Sequence, residues 1–311
     1  MLFLIVETGG DVFYNFLNKI LEFSSADNFK EQTQKVIAYV DSLSDSDIKI
    51  IVKEVGTIPE CIKASSSEEK LFSKSSDIIL ARCFRMLGLK SKAVAERADS
   101  ADVIAESIYH KYSLVADAKC FRMSRTAKNQ KDFKVAALSD WRGGENEYAV
   151  LVSPYFQYPK AESQIYKTAL DENVCLLSWE HISILLDNDV SENENFSLEA
   201  IWNSSLMIAR DSRVSYENAK CCFLPKINSL VAKKIGIEYS KLLELLNDEK
   251  LVIIARGNKE LSYCEEKIEE IKNYSYKKAI EELIKETKLE EKIKVIASFL
   301  LTLGDVNNEQ S

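Results

Sequence analysis

The sequence predicts an α/β protein, in which a central sheet is flanked by helices and the N- and C-terminal regions are helical. Three observations predict this. Short apolar, β-branched segments cluster in the middle of the chain. Both ends instead repeat apolar residues at helical spacing. Between residues 147 and 177 a strand, a helix and a second strand follow one another, the pattern of a crossover unit.

The first helices fall at residues 12–23, 29–40 and 48–55, with Asp45 or Ser46 capping the third and Gly56 and Pro59 ending it. A long helix over 67–87 stops at Gly88. Two short strands follow, S-A-D-V-I-A-E (100–106) and L-V-A-D-A-K (114–119). A helix capped by Thr126 runs to about Trp141, before a turn at Gly143 and Gly144. Strands at 147–152 and 174–177 enclose a helix at 163–170, and 181–186 is helical again. The polar run N-D-V-S-E-N-E-N (188–195) reads as a linker. Residues 259–302 form amphipathic helices rich in Glu–Lys pairs, with an apolar stripe at Ile268, Ile271, Ile280, Leu283 and Ile284 that suits core packing better than a partner chain. The residues after Gly304 read as disordered, and the opening M-L-F-L-I-V as a short strand or partly buried terminus. These elements divide the chain into a helical region (1–89) packing on the core, a core (90–190) and a C-terminal helical region (191–311).

Composition narrows the function. The 311 residues, 46% hydrophobic and 29% charged, suit a soluble globular protein with ample core. Seven cysteines include no C-x-x-C pair, which predicts reduced thiols and a cytoplasmic setting. Only His110 and His181 are present, so histidine metal clusters and triads are disfavoured. The sequence has no Gly-rich phosphate loop, no charged secretory leader and no apolar run near the roughly 18 residues of a membrane span.

Chemistry concentrates in the two middle strands. Residues two apart on a strand share a face, so Asp117 and Lys119 project together while Ala118 turns inward. If the strand bearing Asp102 is adjacent, two carboxylates and an ammonium converge, a set suited to a hard cation such as Mg2+ and to hydrolysis of a phosphodiester. An isolated D-x-K triplet is more often a surface ion pair. Here, however, a basic run follows it in a chain of net charge -8: Lys119, Arg122, Arg125, Lys128, Lys131 and Lys134, against Asp132 alone. Such a helix face suits a phosphate backbone, with Asn129 and Gln130 placed to reach base edges.

The stretch L-V-A-D-A-K-C-F-R-M-S-R-T-A-K-N-Q-K-D-F-K-V-A-A-L-S-D-W (114–141) resembles the HindIII family of type II restriction endonucleases. So do I-P-E-C-I-K-A-S-S-S-E-E-K-L-F-S-K (58–74), A-D-V-I-A (101–105), Y-A-V-L-V-S-P-Y-F-Q-Y-P (148–159) and D-E-N-V-C-L-L-S-W-E-H (171–181), together roughly the middle half of the chain. The resemblance implies a restriction-endonuclease-like core with a mixed central sheet and a P-D…(D/E)-x-K site. Asp102 is then the first acid, Asp117 the second and Lys119 the lysine, and Asp132 falls at a further acidic position. Ala101 stands where the motif has proline, a group without chemical role. Glu69 and Glu96 are nearby acids that suit solvated helix positions better than the metal.

On this reading the protein is a homodimeric, Mg2+-dependent endonuclease cutting a palindrome in double-stranded DNA, paired with a cognate DNA methyltransferase. Asp102, Asp117 and the Ala118 carbonyl hold the metal. Arg125, Asn129 and Lys131 meet the major groove, and Arg122, Lys128 and Lys134 the phosphates. The resemblance further implies the hexamer A-A-G-C-T-T, cut after the first A to leave 5′-phosphate ends. A repair or recombination nuclease on the same core, a DNA-binding protein without catalysis and a helical scaffold are the rival readings.

Overall fold

Four helices lead into the sheet, and their starts follow from local capping. A computed structural model describes residues 12–25, 28–94, 101–125, 130–159, 163–211 and 219–302. Helices α1 (Val12–Phe23), α2 (Phe29–Ser42), α3 (Asp45–Ile51) and α4 (Ser67–Met86) come first. Asn28 caps α2 by accepting from the Glu31 N–H. Ser44, not Asp45 or Ser46, caps α3, in a capping box with Asp47. Ser66 caps α4, and Gly88 follows its end at φ 86°.

The sheet runs in simple order, β1 (Leu89–Ala93), β2 (Val103–Ser107), β3 (Ser113–Ala118), β4 (Tyr148–Ser153) and β5 (Val174–Ser178). The first three strands pair antiparallel; β3–β4 and β4–β5 pair parallel, so the sheet is mixed as expected. The parallel half explains its own sequence. Strands β4 and β5 are buried at every position, which demands apolar runs rather than alternation. Strand β1 eluded the sequence reading because L-K-S-K-A is an edge strand with Lys90 and Lys92 on its exposed face.

Crossovers complete the core. Between β3 and β4 lie α5 (Gln130–Phe133) and α6 (Val135–Arg142), which replace the continuous helix expected to Trp141. The break is Lys134, whose φ of 49° is left-handed and cannot continue a helix. A 3-10 turn (Tyr155–Gln157) and α7 (Gln164–Asp171) join β4 to β5. Next come α8 (Trp179–Asp187), α9 (Glu199–Trp202), α10 (Ser204–Ala209), α11 (Ala219–Ile235) and α12 (Tyr239–Lys272). Helix α4 packs on β1, β2 and β3, and α6 on β3 and β4.

The supposed linker is part of the core. Glu192 is buried, accepts hydrogen bonds from the Tyr112 hydroxyl, from Ser107 Oγ (2.6 Å) and from the Leu198 N–H (2.7 Å), and so fastens the segment to the sheet. A Cβ on Gly88 would lie 2.8 Å from the backbone of Glu192, so glycine is needed there for space as well as for φ. The chain falls into compact units of residues 1–258 and 259–311. In the second unit α13 (Tyr276–Glu286) contacts α14 (Leu289–Thr302), and Ile268, Ile271, Ile280, Leu283 and Ile284 are all exposed. No helix among the described residues is long and apolar enough to cross a membrane. The opening hexapeptide and the residues after Gly304 lie outside the described residues.

Candidate active site

Strand register brings the two predicted acids together. Val103 of β2 lies opposite Ala116 of β3, so Asp102, one residue before β2, stands across from Asp117. The Val94 N–H donates to the Asp102 carbonyl (2.8 Å) and steadies that turn. A third acid comes from α4: one oxygen each of Asp77, Asp102 and Asp117 lies within 4.8 Å of the others. Asp77 is placed by the sheet itself, since the Ala118 N–H donates to its Oδ1 at 3.3 Å.

Two lysines answer this charge. Lys119 bonds Asp117 through its ammonium. Lys74, one turn before Asp77 on α4, sits 2.7 Å from Asp102 Oδ1 and 3.6 Å from Asp77 Oδ2. The backbone of Lys119 is fixed on both sides: its N–H donates to the Val152 carbonyl (2.7 Å), and its carbonyl accepts from Trp179 Nε1 (2.9 Å). Gly56 makes room for that indole, because a Cβ there would lie 2.5 Å from Trp179 Cδ1. Trp179 is thus a buried wall of the site.

Burial raises the carboxyls' affinity for protons. It lifts Asp77 well above the usual carboxylate range, with the Asp102 charge adding to the effect and Lys74 opposing it. Asp117 is also raised, chiefly by burial, while Lys119 and, more weakly, Lys134 pull it back. Three converging hard oxygen donors, two of them buried with raised proton affinity, fit a divalent cation such as Mg2+ or Mn2+.

The structure brings Asp102, Asp117 and Lys119 together and adds Asp77 and Lys74, which sequence reasoning missed. They lie in a mid-helix S-K-S-S-D run whose last four residues are buried, a burial that the sequence alone does not signal. Asp132 is not in the cluster; it accepts from Arg125 Nη2 at 2.6 Å. Ala118 is buried between the two acidic elements, with its N–H on Asp77. Glu69 accepts from Arg122 Nε (3.0 Å) and from the Ser65 N–H (2.6 Å), and Glu96 lies outside the described residues.

The basic segment sorts into two kinds of residue. Arg122, assigned to phosphates from sequence, faces inward: its Nη1 and Nη2 donate to the carbonyls of Pro59 (3.0 Å) and Ile62 (2.7 Å), besides the Glu69 pair. It is a strut. Glu60 secures the same turn, accepting from the Ser124 N–H (3.0 Å) and hydroxyl (2.9 Å). Arg125, Lys131 and Lys134 are exposed. Thr126, Lys128 and Asn129 lie outside the described residues, and of Gln130 only the backbone is described.

Acids and a lysine at the ends of neighbouring strands of a mixed sheet suit metal-dependent phosphodiester hydrolysis, and the comparisons give the class of protein: a restriction endonuclease. The profile of a family described as HindIII restriction endonuclease matches residues 14–300. The type II restriction enzyme HindIII of Haemophilus influenzae is 43% identical over 284 residues, covering 91% of this chain and 94% of that one. This chain belongs to the HindIII restriction endonuclease family. Among solved structures, restriction endonuclease FokI superposes with a TM-score of 0.35 and 9% identity, over 58% of this chain and 34% of that one, a likeness too loose to add to the reading.

Proposed function

We propose that this protein is a type II restriction endonuclease that hydrolyses both strands of a palindromic DNA site with Mg2+ held by Asp77, Asp102 and Asp117. The observation that carries the proposal is the convergence of three carboxylates within 4.8 Å beside Lys119, in a chain of a restriction endonuclease family. The Ala118 carbonyl is a further candidate ligand. When bound, the cation supplies Lewis-acid polarisation of a phosphoryl oxygen and acidifies a water.

The protein's own groups do the rest. Asp117, nearly wholly buried, gives up its charge to a ligand rather than to solvent. Lys119, its backbone pinned by Val152 and Trp179, has an ammonium positioned to orient the attacking water and to offset charge at phosphorus in the transition state. Trp179 and Ala118 close the inner side of the site against solvent. Arg125, Lys131 and Lys134 present positive charge beyond it; Arg125 and Lys131, with Asn129, are assigned to the major groove, and Lys134, with Lys128, to phosphates. Arg122 orders their turn, and Asp132 orients Arg125 through its ion pair.

Relatedness to HindIII supports A-A-G-C-T-T as the site, cut after the first A to leave 5′-phosphates, by a cytoplasmic homodimer whose host carries the matching methyltransferase. A digest of DNA carrying that hexamer, with Mg2+ and with chelator, tests the reading. Cutting at the hexamer in Mg2+ alone is expected. No cutting at any site would remove the nuclease assignment, and cutting elsewhere would remove only the hexamer.

A further inference from the structure

Lys74 is a buried charge on a helix, and nothing in a simple acid–acid–lysine site requires it. Its side chain is 8% exposed, as is that of Asp77. The two residues are three apart on α4 and therefore share a face. A charge so buried persists only where partners compensate it. Its partners here are two of the three acids, Asp102 at 2.7 Å and Asp77 at 3.6 Å, while Lys119 takes the third. The three carboxylates and two lysines leave a formal excess of one negative charge when all are ionised.

We infer that Lys74 is a positioning residue that stands in for the metal, holding Asp102 against Asp77 before a cation arrives and competing with the cation for the same carboxylate oxygens. The inference rests on the cation-binding reading of the three acids. Asp102 depends on such a tether more than its partners do: its side chain is 38% exposed and it precedes β2 rather than lying within it. Among the described residues, it is the Lys74 ion pair that keeps the Asp102 side chain beside two like charges. With the cation bound, the same lysine lies within a few ångströms of a second positive centre and is repelled. At that range the repulsion outweighs the loss of ordering when Lys74 is removed.

Calorimetric melting of the full-length protein without DNA tests this, in chelator and across a Mg2+ titration. For Lys74→Met the metal-free melting temperature should fall by about 5 °C. Its Mg2+-induced gain should exceed that of wild type, and half of that gain should come at roughly tenfold lower Mg2+. Lys74→Arg keeps the charge and should stay within about threefold of wild type in Mg2+ dependence. Adding Asp77→Asn to Lys74→Met removes one acid for the lost lysine and should restore part of the metal-free stability. If wild type gains from Mg2+ but Lys74→Met gains no more, and at no lower Mg2+, the inference is overturned. If Lys74→Met does not fold, Lys74→Arg decides, and a tenfold change in its Mg2+ dependence would overturn the inference. If wild type itself gains nothing from Mg2+ and Asp117→Asn still cuts DNA, the cation reading of the acids is what fails.

Discussion

Two of the buried polar clusters on this sheet differ in charge. Around Asp77, Asp102 and Asp117, acids crowd together and two lysines do not fully balance them. The other begins at the end of β5. There Ser178 Oγ bonds His181 Nδ1 (2.9 Å), His181 Nε2 bonds Asn228 Oδ1 (2.7 Å), and Asn228 Nδ2 donates to the Tyr155 hydroxyl (3.0 Å). Serine beside histidine beside an amide looks like hydrolase machinery. Yet His181 is fully buried and its ring nitrogens are both occupied by neutral partners. Burial lowers its pKa to about 4, so it stays uncharged and fixed. Burial and polarity are common to both clusters; what separates the proposed active site from the neutral cluster is charge that a ligand could complete.

The largest effect that tests this contrast is on chemistry. Asp117→Asn should reduce cleavage by about a thousandfold or more while leaving DNA binding largely intact. Asn228→Ala should instead cost about 1–3 kcal/mol of stability, by stranding His181 and Tyr155, with cleavage per folded molecule unchanged. Denaturant melts alongside single-turnover cutting separate the two, and loss of turnover in folded Asn228→Ala would erase the contrast.

A smaller effect concerns pH. Burial raises Glu180, next to His181, to about 7 from an ordinary 4.5, with the Tyr155 N–H as the strongest opposing influence. Because the folded value is the higher, this group's contribution to stability is full below about pH 4.5 and is lost as pH rises through about 7. His181 has the opposite sign: its contribution is full above about 6.5 and is lost as pH falls through about 4. Glu180→Gln should therefore gain on wild type by roughly 3 kcal/mol between pH 4.5 and 7 and then level off. A difference that does not change with pH would show that Glu180 is not held protonated by the fold. The smallest effect is on the exposed basic face. Lys131→Ala should weaken DNA binding and, if the lysine meets a phosphate, lower the slope of log affinity against log salt by about 1. An unchanged slope with altered site preference would favour the base-reading role proposed for it.

Much of this was legible in the sequence, and the gaps have physical reasons. Strand alternation placed Asp117 and Lys119 on one side of β3, and the register of β2 then brought in Asp102. Asp77 and Lys74 were hidden because charged residues on a helix usually face water, and only tertiary packing buries this turn of α4. Residues 188–195 looked like a linker because they are polar and mostly exposed, but Glu192 among them turns inward, onto Ser107 and Tyr112. Even spacing of the basic residues suggested one helix face, which the left-handed Lys134 divides and the inward-turned Arg122 leaves.

Helix α4 also carries a mechanical link. Glu69 in its first turn grips Arg122 and the basic turn, and Asp77, eight residues later and about 12 Å along the axis, belongs to the acid cluster. A rod of this length does not bend easily, so any DNA that pulls the basic turn out of place must either snap the arginine's grip or drag the acids with it. The two ends of this helix are therefore mechanically coupled, and a displacement at one end reaches the other through a single rigid element.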